Sequence, residues 1–232
     1  MLGARLSAAG QLDPHAGLDP KAVAGGCAVV DHCNLPAVQA QEASGGGGGE
    51  GPHTAAPSTL SSAVYEWLGV GDPKRFPGPV AAGLRRSGDA KHHAYPRTGA
   101  GGGGAFWGGS SGSSGSGVNH VIHVAGPDFR VSAASSSSGG NDGRVSRDEA
   151  VAILAEAYAS TLREFLGLAG GGDGGGRGPV RVLRLLPLGS GAYAGPFGAE
   201  VPGLTRAALA KGFGLLSEAH QNALLVGATA GG

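Results

Sequence analysis

The chain has 232 residues, 48 of them glycine, and its 17 basic residues balance 17 acidic ones to a formal net charge of zero. That balance excludes a dedicated nucleic-acid surface, which shows as a basic surplus, and no run of ~18 apolar residues exists to span a bilayer. Cys27 and Cys33 are too few for a secreted disulfide framework, and the first twelve residues lack the apolar core of a signal peptide, so a cytoplasmic or nuclear setting is expected.

Glycine and serine collect in tracts at about 44–57, 99–117, 133–145 and 169–178. Such composition cannot bury enough apolar surface to order itself, so the tracts read as surface loop insertions. What remains, about 170 residues, suits a single core. The expectation is one domain over 1–232, monomeric.

Leu2, Leu6 and Leu12 are candidates for an edge strand. Ala28-Val29-Val30 is a short apolar run followed by Asp31-His32-Cys33-Asn34. It reads as an inner strand whose polar end emerges at the carboxyl edge, where open α/β sheets place ligands. Over 59–68, Leu60, Val64, Trp67 and Leu68 share a helical face, and Gly69 ends the pattern. A short helix is expected over Phe76–Arg86. His120–Val124 alternates with β-branched residues and stops at Gly126-Pro127, so it reads as a strand. After Ser146, with Glu149 as capping-box partner, Val151, Leu154, Tyr158, Leu162 and Phe165 recur at helical spacing until Gly167.

Val180–Leu186 is apolar apart from Arg181 and Arg184 and reads as a mostly buried strand, ended by Pro187. The small residues Gly189, Ser190, Gly191 and Ala192 follow, then Tyr193. They let backbone N–H groups converge without Cβ obstruction, as an anion-binding nest requires. A helix over Pro202–Leu216 and a short strand over Asn222–Gly227 complete the reading. Strands alternating with helices give an α/β class with a mixed, mostly parallel sheet. A three-layer α/β/α arrangement is expected, with Val29, Val121 and Val182 on central strands.

Four segments, in order, resemble the motifs of the macro domain, the ADP-ribose-binding fold. Val29-Val30-Asp31-His32-Cys33-Asn34 is similar to the pattern V-V-N-A-A-N, and Leu60-Ser61-Ser62-Ala63-Val64-Tyr65 to V-x-G-A-I-Y. Val121-Ile122-His123-Val124-Ala125-Gly126-Pro127-Asp128-Phe129 is similar to V-I-H-x-V-G-P-x-F, and Leu188–Gly195 to L-S-T-G-V-Y-x-G. The resemblance implies that the partner is ADP-ribose or an ADP-ribosylated protein and that no cofactor is needed. It implies that Leu188, Gly189, Ser190, Gly191, Ala192 and Tyr193 wrap the diphosphate, with the Tyr193 ring on the distal ribose and Asn34 bonding its hydroxyls. An amide suits that task, offering donors and an acceptor. In the alternative the chain is a mono-ADP-ribosyl hydrolase, acting on ADP-ribosylated acidic side chains or O-acetyl-ADP-ribose. There Asn34 and the Gly-rich loop would place a water near C1″ of the ribose, or Asp31 would instead act on water as a general base.

The chain departs from the pattern in several places. Asp31 stands at the first Asn, and Pro57-Ser58-Thr59 stand where three glycines usually precede the helix. No acidic residue matches the one that reads adenine, with Asp13 and Asp19 the nearest in sequence. Outside the resemblance, His32, Cys33, His92 and His93 have no usual zinc spacing, so no metal is expected. Cys33 with a histidine is a weak candidate nucleophile pair beside its reading as inert packing. His123 reads as a structural strand residue. There is no G-x-x-x-x-G-K-[ST], which excludes a P-loop.

Overall fold

Seven consecutive residues, Cys27–Cys33, form the strand that organises the sheet (β3). In the computed structural model, which describes residues 5–6, 12–13, 27–36, 38–39, 64, 76–96, 118–130, 145–170 and 180–229, β3 lies between two parallel neighbours. It pairs with Val118–Ala125 (β5) on one side and with Val182–Arg184 (β6) on the other. Ala90–Pro96 (β4) adds antiparallel to β5, giving the order β4-β5-β3-β6. Arg5–Leu6 (β1) and Leu12–Asp13 (β2) make a separate antiparallel pair in which Leu6 faces Leu12. The protein is therefore of mixed α/β class, with a mixed four-stranded sheet two of whose three ladders are parallel.

The pleat sorts the residues of β3 and β5 onto two faces, since side chains alternate along a strand. Ala28, Val30, Ile122 and Val124 join a core with Arg147–Gly170 (α2) and Val201–Gly214 (α3). On the opposite face Cys33 and Ala125 pack with Val80, Ala81 and Leu84 of and beside the short helix Gly78–Gly83 (α1), while Val121 packs with Val64 and Tyr95. Each fully buried Val, Leu or Ile of these clusters is worth roughly 1.5–3 kcal/mol of transfer free energy. α2 buries the five positions its periodicity marks, Val151, Leu154, Tyr158, Leu162 and Phe165. Ser146 Oγ accepts the Glu149 N–H at 3.2 Å, as the capping pattern predicts. α3 crosses α2 closely at Gly212, where a Cβ would stand 2.6 Å from the Ala155 carbonyl oxygen.

Several expectations are corrected. Asn222–Gly227 is not a strand but lies inside the helix Glu218–Thr229 (α4). Ser217 Oγ caps its first turn by accepting the His220 N–H at 3.3 Å, and Leu224 packs toward the core of α2 and α3. β4 was not legible, because Ala-Lys-His-His-Ala-Tyr-Pro lacks β-branched residues, and pairing with β5 is what extends it. Val182 is not on a central strand: β6 is short, half-buried, and lies at the edge among the described strands. α2 continues past Gly167 to Gly170, and the helix expected over Phe76–Arg86 shrinks to α1. The helix read over 59–68, apart from Val64, and most of the glycine tracts, with Pro57-Ser58-Thr59, lie outside the described residues.

Candidate functional site

β3 and β6 run parallel, so the loops that follow them leave the sheet at the same edge. Asn34 begins a helical turn there, its carbonyl accepting the Val38 N–H at 3.1 Å. The chain after β6 is clamped from above by α2. Tyr158 Oη donates to the Leu186 carbonyl at 3.2 Å and accepts the Leu188 N–H at 3.0 Å. Burial pushes this phenol's pKa up, keeping it a hydroxyl able to serve both bonds. Leu188 is itself 1 % exposed. It anchors the turn and does not present a side chain to a ligand.

Beyond Leu188 the backbone takes conformations that L side chains rarely adopt. Gly189, Gly191 and Gly195 have φ of 64°, 59° and 52°. At Gly189 a Cβ would also stand 2.8 Å from the Phe129 ring, and at Gly195 it would stand 2.8 Å from the Phe129 carbonyl oxygen. A Cβ on Gly191 would meet nothing. The first two close distances show how tightly the turn after β6 is pressed against the turn after β5, and the Phe129 N–H donates to the Tyr193 carbonyl at 3.0 Å. A 3-10 segment spans Gly191–Glu200 and is broken at Gly195.

Tyr193 gathers the rest of the site. Asn34 Nδ2 donates to its hydroxyl at 3.4 Å, the His32 ring lies 4.9 Å from its ring, and the Arg130 guanidinium sits 5.0 Å over its face. Asp128 holds Arg130 by two side-chain bonds of 2.9 and 2.6 Å. Those bonds lower the carboxyl pKa of Asp128 and raise that of Arg130, so both stay charged. Desolvation lowers the His32 pKa, and the ring packs on Gly126 so closely that a Cβ there would fall on it. Asn34 Oδ1 is buried and accepts no hydrogen bond among the described residues. Buried acceptors without donors are uncommon, so this oxygen calls for a donor beyond the described residues.

Asp31 is not at the mouth of the strand. It is fully buried and faces its register partner His123, whose Nδ1 lies 2.9 Å from Asp31 Oδ2. Cys33 Sγ donates to the same oxygen at 3.2 Å, and Tyr95 Oη lies 3.0 Å from His123 Nε2. Burial first, and the Asp31 charge second, push the Cys33 thiol and the Tyr95 hydroxyl to higher pKa. The strand end expected to be polar and exposed is therefore interior, with side chains that satisfy one another. Cys33 as a nucleophile does not fit this place, because the residue is 2 % exposed and burial keeps its thiol protonated.

His32, Cys33, His92 and His93 do not converge. His32 and Cys33 point to opposite faces of β3, and β4 lies beyond β5. His92 instead pairs with His120, Nε2 to Nδ1 at 3.0 Å, with stacked rings. Sequence reasoning missed Arg130, Tyr95 and the clamping role of Tyr158; each acts across strands or between a helix and a loop, which spacing along the chain does not encode. A shallow depression of about 250 Å³ lined by Gly83, Asp89, Ala90, Ser160, Arg163 and Glu164 shares no residue with either cluster. Compared with protein-family profiles, with curated proteins and with solved structures, the chain matches none significantly.

Proposed function

We propose that the chain binds ADP-ribose, free or attached to a protein, at the carboxyl edge of β3 and β6, as a divergent macro-like domain. The observation that carries this reading is Asn34 Oδ1, a buried acceptor with no donor among the described residues, beside Tyr193 at the end of the strand whose motif implies ribose recognition. A ribose hydroxyl supplies the donor it lacks. The left-handed glycines at 189 and 191 open the backbone to a diphosphate, and the first turn of the 3-10 segment begins at Gly191. Arg130, ion-paired with Asp128 and held over Tyr193, places a guanidinium beside that loop. Such a site needs little net charge, in keeping with a neutral chain.

Binding is preferred to hydrolysis because Asp31, the residue a water-activating step would use, is sealed inside the sheet and engaged by His123 and Cys33. Calorimetric titration with ADP-ribose tests the proposal, with AMP alongside. One site with a preference for ADP-ribose supports it. No heat and no melting shift at millimolar ADP-ribose would sink it, and equal binding of AMP would reduce the site to a generic nucleotide pocket.

A further inference from the structure

We propose that Asp31, Cys33 and His123 form a binding site for one borderline-soft divalent cation, zinc by preference. The three side chains come from adjacent strands on one face of the sheet. Asp31 and Cys33 are two residues apart on β3, and His123 is the register partner of Asp31 on β5. One ligand atom from each lies within 4.8 Å of the others. The separations are 2.9 Å from His123 Nδ1 to Asp31 Oδ2, 3.2 Å from Cys33 Sγ to the same oxygen, and 3.5 Å from Cys33 Sγ to His123 Nδ1. Zinc bonds of about 2.0–2.3 Å arranged tetrahedrally put ligand atoms about 3.3–3.6 Å apart. The triangle therefore needs to open by only a few tenths of an ångström to seat the ion.

The donor set fits the place as well as the ion. A carboxylate and a thiolate bring two negative charges to a divalent cation, so the filled site is neutral, which suits side chains exposed by 2 % or less. On binding, the S–H bond of Cys33 breaks, a sulfur–metal bond forms, and the thiol proton leaves to solvent. In the filled site the His123 ring carries one N–H, on Nε2, leaving Nδ1 to bind the metal. Tyr95 Oη, 3.0 Å from Nε2, accepts that hydrogen and holds the ring in place. Ligating histidines commonly have such a partner on the second nitrogen. Mixed S, N and O ligands select zinc-like ions over magnesium and calcium, which prefer oxygen alone. With the ligands interior, loading accompanies folding. The expectation from sequence spacing alone, of no metal, is thus set against three residues that strand pairing brings together. This site does not depend on the nucleotide reading.

The test is refolding of the full chain with zinc or cobalt(II), followed by desalting, metal analysis and absorption spectroscopy. About one equivalent of metal is expected, and the cobalt form should show a thiolate-to-metal charge-transfer band. Cys33→Ser keeps a hydrogen-bond donor to Asp31 and should fold, yet lose that band. Cys27→Ser, altered at the far end of β3, should keep it. A chelator added during refolding should lower the melting temperature of the unmodified chain and leave Cys33→Ser unmoved. Less than a tenth of an equivalent in a cooperatively melting protein would overturn the proposal. So would a cobalt spectrum without a thiolate band, or a band lost in Cys27→Ser and kept in Cys33→Ser.

Discussion

Asp31 and Asn34 stand three positions apart, yet one serves the interior and the other the edge. Asp31 is inside the sheet, where His123 and Cys33 engage its carboxylate. Asn34 is past the last paired residue, where its oxygen meets no donor among the described residues. The interior cluster is made of side chains that satisfy each other, whereas the edge is made of backbone conformations with polar groups left open. The contrast separates side chains engaged within the sheet from an edge that is open to a nucleotide. A buried polar group that is paired stabilises or is neutral, and one that is unpaired carries a penalty a ligand can relieve.

The contrast is broken most directly by removing one member from each region. His123→Ala leaves the Asp31 carboxylate buried without its imidazole and is expected to cost about 3–5 kcal/mol of stability. Asn34→Ala removes one long, half-buried bond and should cost under ~1 kcal/mol. Urea denaturation of both variants checks this, and equal losses would erase the distinction. Within the edge, the glycines sharpen it further. Gly195→Ala places a Cβ against the Phe129 carbonyl in addition to the positive φ, for an expected loss of about 1–3 kcal/mol. Gly191→Ala meets open space and should cost only the αL conformation, about 1 kcal/mol. Thermal melts that rank the two the other way would show that the turns after β5 and β6 are not pressed together.

A pH-dependent effect belongs to the half-buried histidines on the α2 side of the sheet. Burial, then the neighbouring charges of His120, His93, Lys91 and His123, lower the pKa of His92 from 6.5 to about 4. Glu164 of α2 faces it through the His92 backbone N–H at 2.9 Å. The unfolded chain therefore takes up a proton that the folded chain refuses. Stability should fall as pH drops from about 6.5 toward 4 and be indifferent to this group above about 7. His92→Asn should flatten the slope; an unchanged slope would assign the acid sensitivity to other groups.

How much of this the sequence carried depends on the range of the interaction. α2 was legible to its buried face and its Ser146 cap, because helical periodicity and capping are local. β5 and the apolar half of β3 were legible for the same reason. β4 and α4 were not, since their conformations come from pairing with β5 and from the Ser217 cap with Leu224 packing, against weak intrinsic preference. At the site, Asn34 and the glycine turn could be named from motif order, and the fold does bring Asn34 and Tyr193 together. Asp31 moved from the expected mouth to the interior because β3 runs on past the apolar Ala28-Val29-Val30 to Cys33, held by its pairing with β5.

The central claim is that Asn34 reads the distal ribose, and comparing ADP-ribose with ADP isolates it, because only the former carries that sugar. Affinities of both ligands are to be measured for the unmodified chain and for Asn34→Ala. One hydrogen bond to a buried acceptor is worth about 1–1.5 kcal/mol, roughly tenfold in affinity. The unmodified chain should prefer ADP-ribose by about that factor or more, and Asn34→Ala should bind both ligands nearly alike. Equal affinity for the two ligands in the unmodified chain, or a preference that survives Asn34→Ala, would contradict the account.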